Sequence, residues 1–257
     1  MPQYPFCRRG GSYSNRHTGG VLLLPLVCLL TFGIHTGRCQ SVPAFSEDFE
    51  SGQLDKSVWT ELVQGDATLK IQSDKAAHGK YSLMVHYPAN AARSLAFILH
   101  GPLPEALKQR HFGRVYVLVT PPLPQNHTVM IPVGDGDYPL SKFQEIGESR
   151  GTWQPSYQQN RFQVGRGETV KHAGEIPKDK WFCLEWEFND DPNSYVLWVD
   201  GEKVDENRLP FKDETKNLVG GFVQAGFGLR VWGPVTEAFD VYYDDIALDA
   251  KRIGTLK

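Results

Sequence analysis

Phe182-Cys-Leu-Glu-Trp-Glu-Phe188, followed by Tyr195-Val-Leu-Trp-Val-Asp-Gly-Glu-Lys-Val204, decides the fold. Phe182, Leu184, Trp186 and Phe188 alternate with Cys183, Glu185 and Glu187. A repeat of two belongs to a strand with one buried face. The second apolar run stops at Asp200-Gly201 and resumes at Glu202. A two-residue turn of this kind needs positive φ at both central positions, and Asp-Gly tolerates it. The pattern therefore predicts two antiparallel strands joined by a tight hairpin.

Working outward, Ser82–Tyr87, Arg114–Thr120, Gly221–Gln224 and Val241–Tyr243 read as further strands. Proline and glycine punctuate the segments between them. Glu105–Arg110 is the one stretch with the look of a helical turn. Many short strands with almost no helix predict an all-β sandwich or jelly roll with two antiparallel sheets. No internal repeat, linker or second composition zone interrupts residues 40–257, which read as a single domain.

Residues 1–39 read differently. Arg8, Arg9 and Arg16 precede the apolar run Val21–Ile34, and small residues lead on to Cys39. That order predicts a secretory signal peptide, with a retained anchor as the alternative. The run is short for a membrane span, which needs about 20 apolar residues. Cleavage would leave 23 basic against 30 acidic side chains, a net charge of −7, where the whole chain carries −3. Neither value suits a nucleic-acid partner, whose footprint is a basic surface. Cleavage would also leave Cys183 as the lone cysteine, so no internal disulfide is expected. The expected product is a secreted monomer, extracellular or periplasmic, with no membrane association.

The stretch 130–167 departs from the strand pattern. It holds Gly-Asp-Gly-Asp, then Tyr138, Arg150, Trp153, Tyr157, Arg161 and Arg166 among several Gln and Ser. Polar segments rich in aromatics inside a β fold tend to line binding surfaces. Aromatic faces stack on sugars, and Arg, Gln and Asp reach sugar hydroxyls. Trp153, Arg161 and Asp135, with Trp232 further on, are the predicted substrate contacts, and a polysaccharide is the predicted partner.

Several short motifs occur together in order. Ser46-Glu-Asp-Phe-Glu-Ser-Gly52 is followed by Trp59, then Ala77-His-Gly-Lys-Tyr-Ser-Leu83 and Gln125-Asn-His-Thr-Val129. Phe182-Cys-Leu-Glu185, Trp198-Val-Asp-Gly201, Tyr243-Asp-Asp-Ile246 and Arg252-Ile-Gly254 complete the series. Together they resemble the family of the fungal cellulose-induced secreted protein and its bacterial relatives, which is related to the glucuronan lyases. The resemblance spans nearly all of residues 46–254. It implies a concanavalin-like jelly roll with a concave groove, and β-elimination on a uronate-containing polysaccharide.

The resemblance also implies a structural calcium ion tying the first strand to the last. Glu50 and Asp244 carry over as its carboxylates, with backbone carbonyls around His78 and Tyr81. Such a donor set suits a hard cation. For catalysis, His127 matches the family's histidine at the groove and is the candidate base. By location and chemistry, Tyr138 and Tyr157 are candidate acids, and Arg150 a candidate partner for the uronate carboxylate. One departure bears on all of this. The family's Arg-x-Gly-Gly-Gln run reads Glu145-Ile-Gly-Glu-Ser149 here. A carboxylate in place of that arginine would repel an anionic sugar. Two other readings stand beside the lyase. One is a non-catalytic carbohydrate-binding module or lectin on the same fold. The other is a glycoside hydrolase using Glu185 and Glu187.

Overall fold

The computed structural model describes residues 42–91, 93–140, 142–159, 162–166, 174–191, 193–208 and 221–256. The expected leader and Arg161 lie outside these residues. Among the described residues sixteen strands follow one another. They are β1 (Phe45–Glu47), β2 (Trp59–Gln64), β3 (Thr68–Gln72), β4 (Ser82–Tyr87), β5 (Leu95–His100), β6 (Arg110–Val119), β7 (Thr128–Gly134) and β8 (Lys142–Ser149). Then come β9 (Thr152–Trp153), β10 (Ser156–Gln159), β11 (Phe162–Arg166), β12 (Trp181–Asp190), β13 (Asn193–Val199), β14 (Glu202–Arg208), β15 (Gln224–Val231) and β16 (Phe239–Asp249).

They form two antiparallel sheets. The first runs β14-β13-β12-β6-β16-β4-β3, and β1 also pairs with β16. The second runs β11-β10-β8-β7-β15-β5-β2, and β9 pairs with β8. The polar stretch 130–167 thus supplies strands of the second sheet.

The stripe that decided the fold does what its period requires. Phe182, Leu184, Trp186 and Phe188 all face the core between the sheets. Across it stand Met130, Ile131, Val133 and Ile146 from the second sheet, with Ala225, Phe227 and Leu229 from β15. Burying one large apolar side chain contributes roughly 1.5–3 kcal/mol, so this layer is the main source of stability. Gly113 of β6 makes room for the largest member. A Cβ there would stand 1.9 Å from the Trp186 indole. The Tyr243 hydroxyl donates to the Gly228 carbonyl at 2.6 Å, tying the two sheets together through the core.

The predicted hairpin joins β13 to β14, with Asp200 at φ 50° and Gly201 at φ 85°. Asp190 pairs with Asn193 at the turn from β12 to β13. Two expectations are corrected. The helical turn covers only Glu105–Leu107, as a 3-10 turn, because Arg110 already begins β6. The strand placed at Gly221–Gln224 instead starts at Gln224 and runs to Val231. Among the described residues no helix is long and apolar enough to cross a membrane.

Candidate functional site

The second sheet carries apolar side chains on its outward face as well. Leu95, Phe97 and Leu99 of β5 alternate with the core residues Ala96 and Ile98. With Val129, Phe143 and Tyr138 they form a separate buried cluster, joined by Leu62. Tyr138 is the unusual member, because it comes from the loop after β7 rather than from a strand. Its ring packs on Phe97 at 4.9 Å and on Phe143 at 4.8 Å. Its backbone N–H donates to the Gln224 side chain at 3.2 Å, which holds the loop over the sheet. Beneath it, Gly226 leaves room for Leu99 and Pro132, which a Cβ would meet at about 3 Å.

Three polar groups border this cluster. His127, just ahead of β7, has both ring nitrogens engaged: Nδ1 lies 3.2 Å from Gln154 Oε1, and Nε2 lies 3.0 Å from Glu145 Oε1. Gly147 permits this, since a Cβ there would stand 3.0 Å from the imidazole. Glu145 is fully buried and also accepts a hydrogen bond from the Ser156 hydroxyl. The third group is Arg230 of β15. The Tyr138 hydroxyl is buried beside the Arg230 guanidinium, outside ordinary hydrogen-bond geometry. Burial raises its pKa well above the ordinary value, the Glu145 charge adds to the rise, and Arg230 acts against it. One Nη atom of Arg230 is likewise buried without a partner.

Beside this arrangement opens a cleft of about 690 Å³. Its walls include Leu95, Pro139, Arg230 and Trp232, with Gln64 and Arg93 at the rim. The Arg230 guanidinium lies 3.7 Å from the centre of the Trp232 ring, and Trp232 is 40% exposed. Arg93 is exposed, and neither arginine makes an ion pair among the described residues. Two arginines without an ion pair among the described residues therefore share one cleft with an open indole. On the other side of Tyr138, among the described residues, Leu99, Pro132, Phe143 and Gly226 leave only a narrow crevice.

The predicted site residues divide accordingly. His127 and Tyr138 come to the same outward face, and Trp232 lines the cleft. Trp153 is corrected: it is fully buried and packs edge-on against Phe182 at 5.9 Å, so it has no face for a sugar. Arg150 occupies the exposed turn between β8 and β9 at φ 56°, outside the cleft lining. Asp135 accepts the Lys142 backbone N–H at 3.0 Å and closes the loop that carries Tyr138. Tyr157 pairs through its backbone with Gln144 in β8. Arg93, Arg230, Gln154 and Ser156 were not foreseen. Arg230 had a readable signal: Leu229 and Val231 flank it, so alternation puts it on the outward face.

Glu185 and Glu187 do share a face, but it is the outward face of the first sheet. Glu185 accepts Arg252 Nη2 at 2.8 Å, Arg252 Nε at 3.2 Å and the Gly254 N–H at 2.8 Å. Glu187 accepts Arg110 Nε at 2.7 Å. Both carboxylates are held by arginines, which leaves the hydrolase reading without an acid–base pair. Cys183 shares that face; burial, then the Glu185 charge, pushes its thiol up to about 12, so it carries no nucleophilic thiolate.

Glu50 and Asp244 grip one segment from two sides. Glu50 Oε1 accepts the N–H groups of Lys80 and Tyr81 at 2.8 and 2.9 Å. Asp244 Oδ2 accepts those of Ala77 and His78 at 2.8 and 3.3 Å. The His78 ring is bonded to Asp245 through Nδ1. Asp244 stays uncomfortable: burial, then the adjacent Asp245 charge, raises its pKa to about 6 despite three backbone donors. An under-compensated buried carboxylate and an exposed one on the same segment fit a hard cation. Among the described residues no three His, Cys, Asp or Glu side chains group as metal ligands, so backbone oxygens would have to complete the shell.

No family model matches the sequence, and no curated relative matches it. Among solved structures the chain is similar to the cellulose-induced protein Cip1, with a TM-score of 0.64 and 18% identity, over 82% of this chain and 100% of that one. The chain has that fold. It is also similar to an endo-β-1,4-glucuronan lyase from the fungus Trichoderma reesei, at TM-score 0.59 and 14% identity, covering 82% of this chain and 96% of that one. A third neighbour is the alginate lyase vAL-1 from Chlorella virus, at TM-score 0.56 and 10% identity, covering 81% and 99%. The expected resemblance therefore holds as a shared jelly roll. At these identities it speaks of fold and not of activity.

Proposed function

We propose that the protein binds an acidic, uronate-containing polysaccharide outside the cell, in the cleft of Arg93, Arg230 and Trp232, without cleaving it. The observation that carries this reading is the meeting, in one cleft, of an open indole and two arginines that make no ion pair among the described residues. A carboxylate on a sugar ring answers a guanidinium through paired charge-assisted hydrogen bonds. The ring's apolar face answers the indole. An overall acidic chain with two cations in one place that make no ion pair among the described residues has a local preference for anions that its net charge hides. The lyase and alginate-lyase neighbours act, by their names, on uronate polymers, which agrees with that choice.

Binding is favoured over cleavage because the candidate base is already in use. Elimination needs a base that reaches the sugar's C5 proton. His127 spends both nitrogens on Gln154 and Glu145, and the Tyr138 hydroxyl is buried. A lyase remains the second reading, on one observation: the Tyr138 hydroxyl is acted on by both a carboxylate and a guanidinium, the company a proton-transferring tyrosine keeps. A structural calcium ion at Glu50 and Asp244 belongs to either reading.

The test is to incubate the purified protein with polyuronates and neutral glucans in calcium, reading absorbance of the C4–C5 double bond, new reducing ends and retention in an affinity gel. Retention on a polyuronate without new absorbance is the expected result, lost in Arg230→Ala. A rise in absorbance that His127→Ala or Tyr138→Phe abolishes would replace binding by the lyase reading.

A further inference from the structure

Resting on the uronate-binding reading, we infer that the Tyr138 loop restricts this cleft to the end of a polysaccharide chain. A polymer bound along its length needs a groove open at both ends. Here the outward face of the second sheet is divided. On one side lies the cleft, with Pro139 in its wall. On the other side, among the described residues, Leu99, Phe143 and Tyr138 itself are buried against one another, and the crevice they share with Pro132 and Gly226 is too narrow for a water molecule. The wall between them is fixed from three directions. The Tyr138 ring is packed on Phe97 and Phe143, its N–H is held by Gln224, and Asp135 closes the loop on the Lys142 backbone.

The apolar residues under the wall agree with this division. Leu95, Phe97, Leu99, Val129 and Phe143 bury one another and Tyr138, where a continuous sugar site would present hydroxyl-binding side chains. A cleft of about 690 Å³ is the size of a small-ligand site. A few sugar units fit such a space, and the rest of the polymer must leave by the side at which it entered. The arginines then read the carboxylates of terminal units, and Tyr138 with Pro139 is the specificity-determining stop.

The experiment is calorimetric titration of the purified protein with uronate oligomers of graded length and with the polymer, expressed per mole of chain. End recognition predicts an affinity per chain that is flat beyond the shortest chain filling the cleft, with one protein bound per chain. It also predicts a loss of tenfold or more when the recognised terminus is chemically blocked. Replacing the loop after Gly134 by a short glycine turn should make affinity and stoichiometry rise with chain length. Tyr138→Ala removes the ring from the wall at unchanged loop length and should act the same way more weakly, which covers the case where the shortened loop fails to fold. Wild-type affinity and stoichiometry that grow with length, with blocked ends bound equally well, would overturn the stop while leaving uronate binding intact. No binding to any chain would overturn both.

Discussion

Each sheet turns one buried glutamate away from the shared core, and the two are treated differently. Glu185, on the first sheet, is met by the Arg252 fork and the Gly254 N–H. It is a clamp: opposite charges, several donors, and a partner that cannot lose its proton. Glu145, on the second sheet, is met by an imidazole and a hydroxyl, with a tyrosine hydroxyl in its field. The imidazole and the hydroxyls beside it can exchange protons, which the Arg252 guanidinium cannot. The first sheet uses Arg252 and Arg110 to hold its carboxylates, while Arg230 of the second sheet and nearby Arg93 make no ion pair among the described residues. That contrast is why the site belongs on the second sheet.

The contrast can be broken, starting with the largest effect. Arg252→Ala should lower stability by about 3 kcal/mol, the low end for breaking a buried pair because Arg252 is partly exposed; the urea midpoint reads it. The first sheet also has an exception, Asp244, whose charge is poorly compensated. If calcium compensates it, calcium at about 100 times its Kd should stabilise the protein by about 2.7 kcal/mol, and a melting curve indifferent to chelator would remove the ion.

The pH dependence in chelator follows from the same residue. The raised folded-state pKa of Asp244 favours folding fully below pH 4, and that contribution is lost as pH rises through about 6. Burial raises the Glu148 pKa too, so it acts in the same direction. The melting temperature in chelator should therefore fall between about pH 4 and 6 and level off above, and calcium should flatten the fall. Glu145→Gln comes next. It keeps the shape and one acceptor, so a loss of about 1–2 kcal/mol is expected. A cost above that of Arg252→Ala would mean that Glu145 is the clamp and erase the contrast. Trp232→Ala should be smallest in stability, within about 0.5 kcal/mol, while weakening uronate binding.

What the sequence disclosed depended on how local the cause was. The stripe of β12 and the Asp200-Gly201 turn were legible because period and turn chemistry act within a few residues. β15 was misplaced because Gly226 and Gly228 interrupt its apolar pattern. Gly228 is dictated by distant chain: a Cβ there would stand 2.0 Å from the Ala96 carbonyl. With β15 shifted, Arg230 was missed. Trp153 was misread for the opposite reason. Its polar surroundings in sequence suggested exposure, but pairing of β9 with Glu148 and Ser149 turns it into the core. The site's histidine was found and its state was not, since only the register of β8 places Glu145 under the ring.

The position of β16 has a consequence in time. It fills the gap between β6 and β4 and also pairs with β1, so the first sheet is completed by the last strand to be synthesised. Until it leaves the ribosome, β4 and β6 each present an unpaired edge to the crowded surroundings, and β1 lacks its partner strand among the described residues. Assembly dominated by pairings so distant along the chain is slow, and open edges invite self-association. Yield in a recombinant host should therefore hinge on how quickly the nascent chain is finished and shielded, more than on the strength of any single contact.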